Sequence, residues 1–198
     1  VDALVSEPDG GIYDALNKGV GLITGDVVGF LHADDLFGDD DALTRVAAAM
    51  ADPSVAAVYG DLLYVRPDRI DHIVRDWRAG DYSAAKLRRG WMPPHPTLYV
   101  RRSVFASVGR FDTSLRIAAD YDWMLRLLLA EYRVAYIPQV QVRMRTGGAI
   151  NRSLGNNVRK STEDFAALRR NGFSSVAAAV TLMSKNLRKL PQLVRRRA

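Results

Sequence analysis

The 198-residue chain predicts an α/β fold, with helices on both sides of one mostly parallel sheet, from three observations. Segments with helical and strand periodicity alternate from the start, running helix, strand, helix, strand and then a mixture. The run Val27-Val28-Gly29-Phe30-Leu31 is uniformly apolar, as in a strand buried on both faces. The composition, 48% apolar and 25% charged, is that of a globular domain large enough to bury one sizeable core.

Each element follows from local pattern. Residues 11–24 read as a helix, because Ile12, Leu16, Val20 and Ile23 recur at helical spacing and Gly25 supplies a stop. The apolar strand at 27–31 ends directly in His32-Ala33-Asp34-Asp35. Asp39, Asp40 and Asp41 then cap a helix through Leu43, Val46, Ala47 and Met50, closed by Pro53. Residues 55–65 read as a strand interrupted near Gly60-Asp61, with 70–75 as an antiparallel partner. Trp91 to Pro96 form a rigid, proline-rich loop before a short strand at 97–100. Ser103 caps a helix ending at Gly109, and 118–132 is a strong helix. Strands at 134–137 and 140–144 follow, Gly147-Gly148 breaks the pattern, and 156–170 and 174–190 are helical.

No run of about 18 uncharged apolar residues is present, which argues against a membrane-spanning helix. Cysteine is absent, which removes disulfides, thiol catalysis and Cys-ligated metals and agrees with a reducing, cytoplasmic setting. The formal charge of +6 is concentrated at one end: residues 159–198 hold ten Lys/Arg against two Asp/Glu. With Phe165 and Phe173 the only aromatics in that segment, base stacking has little to work with and nucleic acid is not expected as a partner.

Two acidic sites carry the chemistry. A buried strand delivers Asp34 and Asp35 to its carboxyl end, the edge at which open α/β sheets bind ligands. Adjacent carboxylates repel, and a divalent cation completed by diphosphate oxygens and water relieves them. The alternative is a solvated helix cap, a task that Asp39 to Asp41 already fill. The second site is Ala119-Asp120-Tyr121-Asp122-Trp123, where the helix beginning at 118 holds two carboxylates in its first turn. They read either as helix caps or as a general base. Trp123 reads as core or as a sugar platform.

With both sites in view, the sequence resembles the inverting, nucleotide-sugar-dependent glycosyltransferases of family 2. Four stretches carry the likeness over about residues 5–150: 6–19, 24–35, 94–102 with 108–112, and 119–126. The resemblance implies a GT-A-like three-layer α/β/α sandwich with a mostly parallel central sheet, N-terminally incomplete, plus C-terminal helices. It divides the chain into a partial catalytic domain, 1–150, and a basic amphipathic tail, 151–198. The family's opening strand and helix, which hold the nucleotide base, are expected to precede Val1.

Carried over residue by residue, the resemblance makes Asp35 the direct ligand of Mg²⁺ or Mn²⁺, with Asp34 at the ribose or in the metal shell. Asp120 becomes the catalytic base. Asn17 and Lys18 lie near the donor, Lys18 reading equally as a solvated helix lysine. His95 borders the acceptor with Trp123, or is a loop histidine held by a carbonyl. Arg145 and Gly147-Gly148 belong to a loop over the diphosphate, or to a simple turn. The Gln-x-x-Arg-Trp signature of the family's processive polymerases is missing, which implies addition of a single sugar. The expected partners are a nucleotide-sugar donor and a glycan or lipid-linked acceptor, in polysaccharide, glycolipid or cell-envelope glycan synthesis. The helix from 174 with its basic end suits the inner face of an anionic membrane, or packs on the body. The competing reading is a truncated GT-A fragment that binds a partner without catalysis.

Overall fold

The structure, a computed structural model, describes residues 2–147 and 154–187. Its elements are α1 (Ile12–Leu22), β1 (Val27–Gly29), β2 (Asp35–Phe37), α2 (Ala42–Ala49), β3 (Ala57–Arg66), β4 (Arg69–Trp77), α3 (Ala84–Arg88), β5 (Tyr99–Arg101), α4 (Arg102–Val108), α5 (Ala119–Leu129), β6 (Val134–Arg145), α6 (Leu154–Arg170) and α7 (Ser175–Leu187). A 3-10 turn, His95–Thr97, precedes β5.

The strands form one sheet in the order β1-β5-β3-β6-β2, with β4 added to β3. Faces alternate along β3: Ala57 and Tyr59 join the core beneath α1, α4 and α5, whereas Val58 joins Val46 of α2, Met50 just beyond it, Tyr99 and Ile137. Helices therefore cover both faces, as the three-layer expectation requires. The sheet itself is mixed rather than mostly parallel. Among the described strands only β3 and β6 pair in parallel; β1–β5, β3–β5, β3–β4 and β2–β6 are antiparallel. The reason lies in the proline loop before β5, which turns the chain back so that β5 inserts between β1 and β3 and opposes both. β1, β3 and β6 do run the same way.

Two glycines are required by close approach. A Cβ on Gly29 would meet the Tyr99 ring at 2.3 Å, and one on Gly60 would meet Gln141 Cγ at 2.3 Å. Gly60 marks the irregularity expected in this strand: its partner is Ile137, but Asp61 pairs with Val140, so Pro138 and Gln139 bulge out of β6. Proline has no N–H to give a ladder, and the two strands expected at 134–144 are one bulged strand. The strand at 27–31 is shorter than expected, ending at Gly29, and β2 and α3 were not legible in the pattern. Asp41 makes no side-chain cap; Asp39 Oδ1 instead accepts from Asp41 N (3.0 Å) and Arg45 NH2 (2.7 Å).

Helices α6 and α7 belong to the same core as the sheet. Ala167, Leu168 and Ala178 are fully buried in the cluster that contains Tyr59 and Trp123. Among the described residues, a boundary at residue 150 thus separates no second core. On α7, Val176, Val180, Met183 and Leu187 form an outward stripe, all more than half exposed. The basic residues expected to complete it, from Arg188 onward, lie outside the described residues. Among the described residues no helix is long and apolar enough to cross a membrane.

Candidate functional site

Asp120 stands in the first turn of α5, and two other elements, α6 and α1, hold that turn. Glu163 of α6 accepts hydrogen bonds from the backbone N–H of Arg116 (3.2 Å), Ile117 (2.8 Å) and Ala118 (3.0 Å). These groups lead into a helix whose first N–H donors have no intrahelical partner, and a carboxylate also suits the positive helix end. From α1, the Tyr13 hydroxyl donates to Ile117 O (2.7 Å) and to Asp120 Oδ1 (3.1 Å). Asp120 Oδ1 further accepts from Tyr121 N (2.8 Å). One carboxylate oxygen is thereby anchored by two donors. Tyr13 is held protonated, its pKa raised by burial and by the charge of Asp120.

Asp122, one residue beyond Tyr121, has a different task. It is 5% exposed, bonds Arg126 Nε (3.0 Å) and accepts from Asn171 Nδ2 (3.0 Å), tying α5 to the end of α6. Trp123 is 1% exposed, stacks on Phe105 at 4.5 Å and donates Nε1–H to Gly109 O (2.6 Å). It is core and presents no face to an acceptor, because helical spacing turns position 123 inward.

The first acidic pair divides. Asp34 is exposed, while Asp35 is 6% exposed at the start of β2, its N–H bonded to His32 O (2.9 Å). Burial pushes the Asp35 carboxyl pKa up and Asp34 adds to the rise, against the pull of His32, of the Arg145 N–H and of the Arg145 charge. Asp35 Oδ2 is buried without a hydrogen-bond partner. A buried carboxylate oxygen in that state is what a cation would satisfy. Among the described residues no three His, Asp or Glu side chains cluster to hold a metal by themselves. The donor set therefore fits Mg²⁺ or Mn²⁺, which take one or two carboxylates and complete their shell with phosphate oxygens and water.

The two acidic sites share one region. His95, in the 3-10 turn, packs between the rings of Phe30 (6.0 Å), His32 (6.3 Å) and Phe111 (6.1 Å). Burial lowers its pKa; the charge of Asp120 raises it and that of His32 lowers it further. Tyr64 links them again. In register, Tyr64 of β3 pairs with Met144 of β6, which pairs with Asp35 of β2, so the three share one row and one face. Burial raises the Tyr64 pKa, Arg75 opposes the rise, and both Asp35 and Asp120 add to it.

Two expected donor residues are used otherwise. Asn17 is 7% exposed and staples α1 to the backbone of Phe111, Nδ2 donating to its O (2.9 Å) and Oδ1 accepting from its N (3.0 Å). Lys18 pairs with Glu7 (2.7 Å), Asp9 (3.0 Å) and Asp14 (3.6 Å), which raise its pKa and fasten the N-terminal segment to α1. A phosphate would have to displace these carboxylates. Arg145 ends β6 within reach of Asp35, and Gly148 lies outside the described residues. Tyr13, His32, Tyr64 and Glu163 were not singled out from sequence; only His32 had a local signal, as part of the acidic motif.

Comparison with known proteins gives a consistent answer. Residues 4–175 match the model of Glycosyl transferase family 2. An uncharacterized glycosyltransferase of Mycobacterium tuberculosis is 32% identical over 126 residues, 63% of this chain and 47% of that protein. A PGL/p-HBAD biosynthesis glycosyltransferase of Mycobacterium bovis is 33% identical over 121 residues, 61% of this chain and 44% of the relative. The chain thus spans about half the length of these relatives. Among solved structures, the mannosyltransferase PcManGT of Pyrobaculum calidifontis, in complex with GDP-Man and Mn²⁺, aligns with a TM-score of 0.53 at 20% identity, covering 93% of this chain and 52% of that one. S. aureus TarS 1–349 with UDP-GlcNAc aligns at 0.59 and 13% identity, covering 94% and 55%. Those structures share the fold, and the family match extends over most of the sequence: the chain belongs to glycosyl transferase family 2.

Proposed function

We propose that this chain transfers a single sugar from a nucleoside diphosphate sugar to an acceptor hydroxyl, with inversion at the anomeric carbon and dependence on a divalent cation. The observation that carries the reading is the buried Asp35, with one unpartnered oxygen, linked from His32 through the rings of His95, Phe111 and Tyr13 to the hydrogen bond that Tyr13 makes to Asp120. PcManGT holds GDP-Man and Mn²⁺, and TarS holds UDP-GlcNAc; the chemistry they share is a nucleoside diphosphate sugar.

Asp35 and Asp34 would hold Mg²⁺ or Mn²⁺, which when bound supplies positive charge to the diphosphate leaving group. Asp120, anchored through Oδ1, keeps Oδ2 for the acceptor hydroxyl and takes its proton as that oxygen attacks from the face opposite the diphosphate. The Tyr13 hydrogen bond fixes the carboxylate plane. Neutral His95 lines the acceptor side and adds no repelling charge. Arg145, at the end of β6, is placed to meet diphosphate oxygens. The product belongs to polysaccharide, glycolipid or cell-envelope glycan synthesis, with a glycan or lipid-linked acceptor. The exposed stripe of α7 and the basic residues after it suit the inner surface of an anionic membrane.

Calorimetry with GDP-mannose and UDP-N-acetylglucosamine, with and without Mn²⁺, tests the reading. Wild type should bind a donor only with the cation, and Asp35→Ala should abolish that binding; unchanged binding by the variant would remove the metal assignment. The alternative, a binding fragment without catalysis, gains support if the donor binds but is neither hydrolysed nor transferred.

A further inference from the structure

Helix α7 meets the body of the protein with polar side chains. Thr181 Oγ1 donates to Arg88 O (2.8 Å) and Ser184 Oγ to Arg89 O (2.7 Å), carbonyls at the end of α3. Lys185 follows Thr181 by one helical turn on the same side, while Val176, Val180, Met183 and Leu187 face outward. The fit is close. A Cβ on Gly90, just beyond α3, would meet Thr181 O at 2.5 Å and Lys185 N at 2.7 Å. The backbone that carries Lys185 is therefore fixed against the α3 turn.

The Lys185 side chain is 14% exposed. Its Nζ bonds Asp164 Oδ2 of α6 at 2.8 Å and stands 3.4 Å from the centroid of the Tyr121 ring of α5. Asp164 is 4% exposed, and its Oδ1 is buried without a hydrogen-bond partner. An ion pair taken out of water gains little over apolar packing of the same volume, and one that leaves an oxygen unsatisfied gains less. Stability alone does not account for this pair; its location does. Tyr121 is the residue whose N–H holds Asp120 Oδ1 (2.8 Å). Asp164 follows Glu163, which holds the backbone N–H groups of Arg116, Ile117 and Ala118. Neighbours on a helix point about 100° apart, so α6 grips the entry to α5 with one carboxylate and α7 with the next. A cation on the face of a buried ring holds that ring in place.

We propose that Lys185 is a positioning residue for Asp120: set between Asp164 and the Tyr121 ring, its ammonium fixes Tyr121, and the Tyr121 N–H fixes the carboxylate that faces the acceptor hydroxyl. The assignment rests on the transferase reading for the role of that carboxylate, yet its first readout is independent of turnover.

The experiment is amide hydrogen exchange by NMR on the full chain, with transfer kinetics beside it. The double variant Lys185→Met/Asp164→Asn removes the cation together with the charge it would otherwise leave unpaired. Its Tyr121 amide should exchange about tenfold faster than in wild type. The Met50 amide, bonded to Val46 O (2.9 Å) in the other core, should keep its rate. The kcat for transfer should fall about tenfold, with the donor KM within about twofold. Lys185→Arg keeps a cation at the ring and should hold both Tyr121 exchange and kcat near wild type. An unchanged Tyr121 rate in the double variant would overturn the assignment. So would equal acceleration of Tyr121 and Met50, the mark of a merely structural loss, or a kcat that stays at the wild-type value while Tyr121 exchange rises. A Lys185→Arg protein as impaired as the double variant would overturn it too. Absence of transfer by wild type would refute the transferase reading and leave the exchange result to decide whether Lys185 holds the Asp120 anchor, which separates the two failures.

Discussion

Replacing Glu163 by alanine should destabilise the protein through a helix to which residue 163 does not belong. The carboxylate receives three backbone N–H groups at 2.8–3.2 Å from the turn that opens α5. A hydrogen bond to a charged group contributes about 1.5–3 kcal/mol when buried, and loss of a helix cap about 1 kcal/mol. Glu163 is only partly buried, so water takes over some of the freed donors, and the expected loss is about 2 kcal/mol. For a chain of this length that lowers the melting temperature by about 4–8 °C. Glu163→Gln keeps one acceptor oxygen and should lose about half as much. Urea unfolding at pH 7 measures the stability, and amide exchange at Ile117 and Ala118 locates it. Both amides should exchange faster in Glu163→Ala, and turnover should fall with them, because Ile117 O and Asp120 share the Tyr13 hydroxyl. A variant within about 0.5 kcal/mol of wild type, the ordinary range of a surface substitution, would refute the strut. So would a destabilised variant whose Ile117 and Ala118 exchange is unchanged.

Trp123→Ala should lose about 3–5 kcal/mol in urea unfolding, the range for a large aromatic removed from a core; near-wild-type stability with a raised acceptor KM would restore it to the acceptor side. Asp35→Asn should raise the melting temperature at pH 7 by a few degrees, since it removes a buried charge with an unpartnered oxygen. The Asp35 pKa is raised on folding, so the native state keeps its proton longer and wild type loses stability as pH climbs above the ordinary carboxylate range. The gap between variant and wild type should therefore close in acid; a gap that widens there contradicts the burial argument. His95 has a lowered pKa, so the unfolded chain protonates first and stability should fall as pH drops through the ordinary histidine range. An NMR titration of the His95 ring with a midpoint at or above that of a free histidine would contradict its packed position.

How much of this was legible depended on range. The strand at Val27 and the carboxylates after it were readable because an apolar run and an abrupt acidic end are local signals. The helix carrying Asp120 was readable from its apolar face. Asn17 and Lys18 were misplaced together, although neighbours on a helix differ by about 100° in direction: one turned inward to Phe111, the other outward to three carboxylates. Trp123 read two ways because its partners, Phe105 and Gly109, lie well outside its own helix, Gly109 being 14 residues away. The sheet direction failed at β5, a three-residue strand whose placement between β1 and β3 has no periodicity of its own. Glu163 was invisible because its partners are more than 40 residues distant. Tyr64 read as one more strand residue, and only the registers of β3, β6 and β2 place it in a row with Asp35.

The most direct measurement is sugar transfer by Asp120→Asn in the full chain, with Mn²⁺ and donor binding followed in parallel. Donor binding should stay within about twofold of wild type while transfer falls by about 10²–10⁴, the span of general-base catalysis. Transfer near the wild-type rate would contradict the role of Asp120 and, with it, the common site that Asp35 and Asp120 are held to form.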